Sequence, residues 1–419
     1  MNEAPWLLAR RLERFRETRP VASAGPSAAV VPPRAAALAF DLGGQVAETA
    51  AGEVVVLDSE LDFALDQAAL EQLPYGVPRD RPLVCLDTET TGLATGAGTL
   101  AFLVGVGTWE GPRLRVRQLL LPDHALELAL LNALALTVPA DAWLVTYNGR
   151  SFDWPLLTAR YRLHRRDPPP LAGHLDLLHV ARQLWKHRLG NARLATVEHA
   201  ICRVRRTDDL PGALIPDRYF GYLRERRGEM LRDVVEHNRQ DVVSLALLLG
   251  AMSRLSAPDG WRGKHPGDIG ALGRAYARTG DFQTALLCLD TALESSAWVS
   301  GGAMVGGGAA WRKLATDRAR LLAKIGRRDD AVAAWIDLGR RGGPGAASAW
   351  LHVARHREHV ERDIGGALDA CAQALAAAER ARTWGRPVPS VERDLAWRMA
   401  RLRRRLRSAG ARPASTRAA

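Results

Sequence analysis

The order of apolar and polar positions splits the chain into a mixed strand-and-helix part and an all-helical part. Near-continuous apolar runs at 81–87 (RPLVCLD), 101–108 (AFLVGVGT) and 142–147 (AWLVTY) predict buried strands. Residues 113–121 alternate basic and apolar side chains, the pattern of a half-exposed strand, and Gly111-Pro112 marks the turn before it. Helices are expected over 123–136, with Asp123 at the N-cap, over 152–163, and over 230–252, with a short strand at 175–178. Three strands in succession, then alternation, predict an α/β fold: a mixed sheet flanked by helices. Ahead of it, residues 1–37 read as a basic segment and a Pro/Ala/Ser linker. Residues 38–80 read as an N-terminal extension with one strand, 53–58, packed on the domain at 81–252.

Residues 253–268 form a Pro/Gly-rich linker, and from Ile269 onward strand signals cease. Leu272, Gly273, Tyr276, Gly280, Phe282, Ala285, Leu289 and Ala292 fall at positions similar to a tetratricopeptide repeat, where Ala285 and Ala292 let two helices pack closely. Weaker units follow at Ala319, Leu322, Gly326, Ala331 and Leu338, and at Leu351, Ala354, Ala367 and Ala374. Residues 269–407 are therefore expected to form TPR-like helical repeats closed by a helix over 394–406, with a disordered tail at 408–419. The Gly-rich stretch 301–308 lacks both a preceding strand and a following Gly-Lys-Ser/Thr, so it reads as an inter-helix loop rather than a phosphate loop.

Composition narrows the function classes. The 419 residues carry 58 Lys+Arg against 46 Asp+Glu, a net charge of +12, and almost all the basic residues are Arg. Such a chain favours polyanions, nucleic acid first among them, although Ala/Gly/Pro-rich coding bias produces the same excess. Cys85, Cys202, Cys288 and Cys371 are widely separated with no CxxC pair, which argues against a disulfide scaffold or a Cys-based zinc site. No apolar run approaches the ~20 residues of a membrane span, and no signal peptide is evident. A cytoplasmic protein without membrane partners is expected.

The chemistry is concentrated in acidic residues at the ends of elements. Asp87 and Glu89 close an apolar strand, and residues two apart on a strand share a face. Two carboxylates on one face repel unless a cation lies between them. The stretch 144–157 (LVTYNGRSFDWPLL) runs from a strand through Asn148-Gly149 to Asp153 at a helix start, where helix capping is the alternative role. His237 and Asp241, four apart, lie about 40° from each other on one helix face. A surface pair is the plainer account of that spacing by itself.

Together these residues resemble the DEDD superfamily of 3′–5′ exonucleases on the ribonuclease H fold, and within it the YprB-like RNase H-like family. The likeness also runs through 174–185 (HLDLLHVARQLW) and 205–223 (RRTDDLPGALIPDRYFGYL). It implies that Asp87, Glu89, Asp153 and Asp241 hold two Mg²⁺ or Mn²⁺ ions and that His237 is the general base. It further implies that Thr90, Thr91, Gly92, Leu93, Asn148 and Phe152 bind the terminal nucleotide, Leu93 as a wedge and Phe152 as a stacking surface. His-containing members of the superfamily place four residues between the His and the last Asp. Here there are three, the spacing of the Tyr-containing branch, a difference of about 100° around the helix.

The reaction so implied is metal-dependent 3′–5′ hydrolysis of single-stranded DNA or RNA, with the repeats guiding substrate or holding a protein partner. Competing readings are a non-catalytic nucleic-acid-binding adaptor and a structure-specific endonuclease. Asp176 is expected to be structural. The Arg clusters at 162–166, 203–206 and 224–227 are expected to line a phosphate path.

Overall fold

The computed structural model describes residues 34–92, 98–207, 210–295, 299–300, 303–304 and 308–410. Seven strands form one sheet: β1 (Gln45–Thr49), β2 (Gly52–Asp62), β3 (Leu83–Thr90), β4 (Ala101–Glu110), β5 (Arg113–Leu120), β6 (Ala142–Thr146) and β7 (Leu171–Asp176). Their spatial order is β1-β2-β5-β4-β3-β6-β7. The first five pair antiparallel where they touch, and β3-β6 and β6-β7 pair parallel. The sheet is mixed, as the strand pattern predicts.

The segment 38–80 differs from its sequence reading. It contributes two strands, which join the same sheet by pairing β2 with β5. Helix α1 (Arg34–Leu42) begins inside the stretch read as linker. The strand expected at 53–58 continues to Asp62, its backbone pairing with β5 as far as Asp62 opposite Arg113, with exposed Glu60 and Asp62 both near the Arg113 guanidinium.

Further helices are α2 (Glu127–Thr137), α3 (Asp153–Leu163), α4 (Leu177–Leu184), α5 (Ile215–Glu225) and α6 (Arg232–Ser253). They cover both faces of the sheet. Alternate residues of β3 separate the two cores. Leu83 and Cys85 join α4 and α6 on one face, while Val84 and Leu86 join α1, α2, α3 and α5 on the other. The same alternation aims Asp87 and Glu89, which continue the series that faces α6.

Two glycines bring α6 close to the sheet. A Cβ on Gly105 would lie 2.4 Å from Asn238 Oδ1 and 2.7 Å from Val242 Cγ2, and one on Gly107 would lie 2.8 Å from Val242 Cγ1. Gly105 stands opposite Asp87 in the β3–β4 register. The bare backbone of β4 thus seats the helix that carries His237 and Asp241 over the strand that carries Asp87.

Beyond α6 the chain forms helical hairpins: α7 (Pro266–Thr279) with α8 (Phe282–Glu294), α9 (Gly308–Lys324) with α10 (Arg328–Arg340), and α11 (Ala346–His356) with α12 (Ile364–Thr383). Helix α13 (Pro389–Gly410) closes the series and so extends into the stretch read as a disordered tail. A two-residue ladder, Val299–Ser300 with Ala303–Met304, lies in the Gly-rich stretch between α8 and α9. The small residues named from the repeat pattern are buried: Ala285, Ala292, Ala319, Ala331, Ala354, Ala367 and Ala374. Among the described residues, no helix is long and apolar enough to cross a membrane.

Candidate active site

The site is assembled where β3 ends beneath α6. Asp87 is largely enclosed by protein and accepts a 2.9 Å hydrogen bond on Oδ2 from Asn238 Nδ2. Burial raises its carboxyl well above the ordinary carboxylate range, and repulsion from Asp241, Glu89 and Asp153 raises it further. Those three carboxylates, drawn from the same strand and from two helices, are therefore near enough to oppose the ionisation of Asp87. Glu89 is 9% exposed, just before a register shift in the β3–β4 ladder.

Asp153 opens α3. Its Oδ1 accepts from the Thr88 hydroxyl at 2.5 Å, which ties the helix start to β3. Burial raises its carboxyl, and the Thr88 hydroxyl and neighbouring backbone amides offset part of that rise. The turn leading to it is shaped by Asp176, which accepts from the amides of Asn148 (2.8 Å), Arg150 (3.3 Å) and Leu178 (3.0 Å). Asn148 adopts φ +69°, and a Cβ on Gly149 would strike the Thr146 side chain at 2.6 Å, so the Asn-Gly pair is needed for the bend. Asp176 thus holds the loop from below, the structural role expected of it.

On α6, His237 Nε2 lies 3.8 Å from Asp241 Oδ2, one helical turn away. Burial raises the Asp241 carboxyl, opposed chiefly by the charge of Arg206 and then by His237.

The residues expected to meet a nucleotide flank these acids along the chain. Phe152, immediately before Asp153, leaves 48% of its surface to solvent. Thr90 Oγ1 donates to Gly92 O at 2.7 Å, and Thr91 pairs with Leu100 through both backbone and side chain. Leu93 lies outside the described residues, as do Asp208 and Asp209.

Four carboxylates with no softer ligand suit hard divalent cations such as Mg²⁺ or Mn²⁺, although among the described residues only His187, His265 and Asp268 hold three ligand atoms within 4.8 Å of one another. Residues 84–253 match the RNase_H_2 family of the RNase_H superfamily. Over 296 residues, 70% of this chain and 69% of the other, the sequence is 34% identical to "Uncharacterized protein YprB" of Bacillus subtilis (strain 168). The chain belongs to the YprB-like family, with an RNase H-like domain. Membership implies binding of a nucleic-acid substrate and, as is general in the superfamily, use of divalent metal ions.

Several residues of this family member's site escape the sequence reading. The basic cluster at 203–206 places Arg206 on a phosphate path. Arg206 is instead mostly buried, its Nε and Nη2 on Glu198 (2.5 and 2.9 Å) and its Nη2 also on Asp241 Oδ1 (2.5 Å). Glu198 is 1% exposed and accepts from the Ser244 hydroxyl. Burial works against the charge of Arg206, but the two carboxylates outweigh it and keep the guanidinium protonated. Nothing in the spacing of Glu198 and Arg206 signals this pairing, because they meet across a π-helical turn.

Asn238 is fully buried, and its Oδ1 accepts from Gln118 Nε2 at 2.9 Å. Gln118 did leave a signal, a polar residue on the inward series Leu114, Val116, Gln118 of β5.

A separate cluster, His187, His265 and Asp268, lies where the sheet-containing part meets α7. Both oxygens of Asp268 are taken by the guanidinium of Arg188 at 2.9–3.1 Å. That fork already neutralises the carboxylate, and it reads as a latch between the two parts of the chain.

Proposed function

We propose that this protein is a divalent-metal-dependent nuclease that removes nucleotides from the 3′ end of single-stranded DNA or RNA. The observation that carries this reading is the nearness of Glu89, Asp153 and Asp241 to Asp87, whose carboxyl is raised by burial first and then by those three acids. Anions held together in a buried place gain most from cations bound between them. Asp87, Glu89, Asp153 and Asp241 would hold two ions, Mg²⁺ or Mn²⁺. When bound, such a pair supports water activation and stabilises the departing 3′ oxygen of an in-line displacement at phosphorus. His237, whose Nε2 lies 3.8 Å from Asp241 Oδ2, takes up the proton, a task suited to an imidazole near neutral pH. Phe152 stacks on a base, while Thr90, Thr91, Gly92, Leu93 and Asn148 seat the terminal nucleotide.

The test is degradation of a 5′-labelled oligonucleotide in Mg²⁺ or Mn²⁺. Wild type is expected to shorten it stepwise, and Asp87→Ala and Asp241→Ala to leave it intact. Equal degradation by all three proteins, or by none of them, rules the reading out. A 3′-blocked strand and a circular strand are expected to resist; their cleavage would instead indicate an endonuclease.

One observation favours a binding-only role. Arg206 already sits on Asp241, so a guanidinium neutralises part of the anionic set without any metal. Calorimetric titration with Mn²⁺ separates the two readings: the nuclease is expected to take up ions through these carboxylates, and an adaptor is not.

A further inference from the structure

Helix α13 presents a second surface with nucleic-acid chemistry, away from the carboxylates in sequence and built on the helical hairpins. Its inner side buries Val391, Leu395 and Leu402 against α11 and α12. Arg398 and Arg401 turn to the buried Glu358 and serve the packing. The outward side carries Arg393, Arg403, Arg404 and Arg407, all exposed, and no ion pair holds any of them among the described residues. Trp397 lies among them with 60% of its surface in solvent, and the Arg401 guanidinium covers one side of its ring at 4.2 Å from the centroid. At about 100° per residue, Arg393, Trp397 and Arg404 fall within about 40° of one another, with Arg407 and Arg403 about 40° and about 80° from Arg393 on the side away from Trp397.

We propose that this face of α13 binds single-stranded nucleic acid, phosphates on Arg393, Arg403, Arg404 and Arg407 and a base stacked on Trp397. A row of arginines without acidic partners tracks a phosphate backbone, and an exposed indole among them offers the π-face that bases stack on. An anionic membrane would need an apolar face to insert, but the apolar face of α13 is spent on the bundle. An acidic protein would use the arginines and leave the ring without a role. The proposal deepens the nuclease reading by giving the strand a second holding point, on the repeats.

The test measures binding of a fluorescein-labelled oligonucleotide to the full chain by anisotropy in EDTA, so that no cleavage intervenes. Arg393→Gln/Arg403→Gln/Arg404→Gln/Arg407→Gln is expected to weaken binding at least ~10-fold. Its slope of log affinity against log salt is expected to become shallower by about 2–3, near 0.7 for each phosphate that no longer meets an arginine. Trp397→Ala is expected to weaken binding about 5-fold or more with the slope unchanged. All five side chains are exposed, so circular dichroism and melting are expected to match wild type. Unaltered affinity and slope in the quadruple variant overturn the proposal. So does failure of wild type to bind the oligonucleotide at low salt. Arg-dependent binding to phosphatidylserine vesicles with oligonucleotide binding unchanged overturns it in favour of a lipid surface. The cleavage assay is independent. A wild type that never cleaves, with binding lost in the quadruple variant, defeats the nuclease reading and leaves this one standing. Cleavage abolished by Asp87→Ala, with the quadruple variant binding as wild type, does the reverse.

Discussion

Asp87 shows how one residue records the strain of a site. Its carboxyl is raised by burial and by three neighbouring acids, so the folded chain keeps a proton that the unfolded chain releases in the ordinary carboxylate range. Between those two pKa values the folded state binds more protons, and stability falls as pH rises through the interval. Each unit of difference corresponds to about 1.4 kcal/mol. Without divalent ions, Asp87→Asn is expected to melt a few degrees above wild type at about pH 8 and to converge with it at about pH 4. Added Mn²⁺ is expected to raise wild type and to raise the variant much less. Thermal melts across pH, with and without the ion, check both; parallel curves for the two proteins would count against the repulsion.

Arg206 carries the opposite sign. Arg206→Ala leaves Glu198 buried without its partner and is expected to cost about 3–5 kcal/mol in urea denaturation, with Glu198→Gln/Arg206→Ala costing clearly less. Asp87, Glu89, Asp153, His237 and Asp241 were named from the sequence through the resemblance of the whole set, since an element end or a helix spacing is by itself a weak signal for each. Arg206 was not, because its role depends on which acids it meets, and an arginine in an Arg-rich chain looks the same on either side of the surface.

At the scale of elements, the site depends on how closely α6 lies on β4. Gly105→Ala would place a methyl 2.4 Å from Asn238 Oδ1, so helix and sheet must part. A cost of about 1–3 kcal/mol is expected, and the proposed nuclease activity is expected to fall much further than stability because Asp241 shifts relative to Asp87. Gly212→Ala, which meets nothing within 4 Å, is the control. Denaturation beside the labelled-strand assay reads both effects, and a Gly105→Ala protein that is as active as wild type would show the spacing to be slack. The strands β3 to β6 were legible here from apolar runs and alternation. β1 was not, since QVAET is half polar and becomes a strand only by pairing with β2. The last residues of β2, 59–62, likewise become strand by pairing with β5.

The whole molecule joins its two parts through one continuous apolar cluster. That cluster passes from Leu245 and Leu249 of α6 to Ile269, Leu272 and Tyr276 of α7 and on to Leu289 of α8. The Tyr276 hydroxyl donates to Gln72 O at 3.0 Å, and Arg188 grips Asp268 across the same junction. Arg188→Ala is expected to cost about 1–3 kcal/mol, since Arg188 is partly exposed while Asp268 is buried. Urea unfolding followed by several probes is expected to broaden toward two transitions. A sharp single transition at the wild-type midpoint would mean that the apolar cluster alone couples the parts.

Local order along the chain was enough to determine the strand-and-helix half and the helical half, and with the family resemblance it named the acidic residues of the candidate site. Periodicity and end positions are properties of neighbours in sequence, and backbone geometry converts them directly into faces and termini. The three-dimensional packing decided the rest: that residues 45–62 complete the sheet, that Asn238 and Gln118 brace Asp87, and that Arg206 faces inward to Asp241. Apart from the β1–β2 hairpin, these depend on pairings between residues 35 to 151 positions apart, whose partners are chosen by burial and charge compensation that no local pattern encodes.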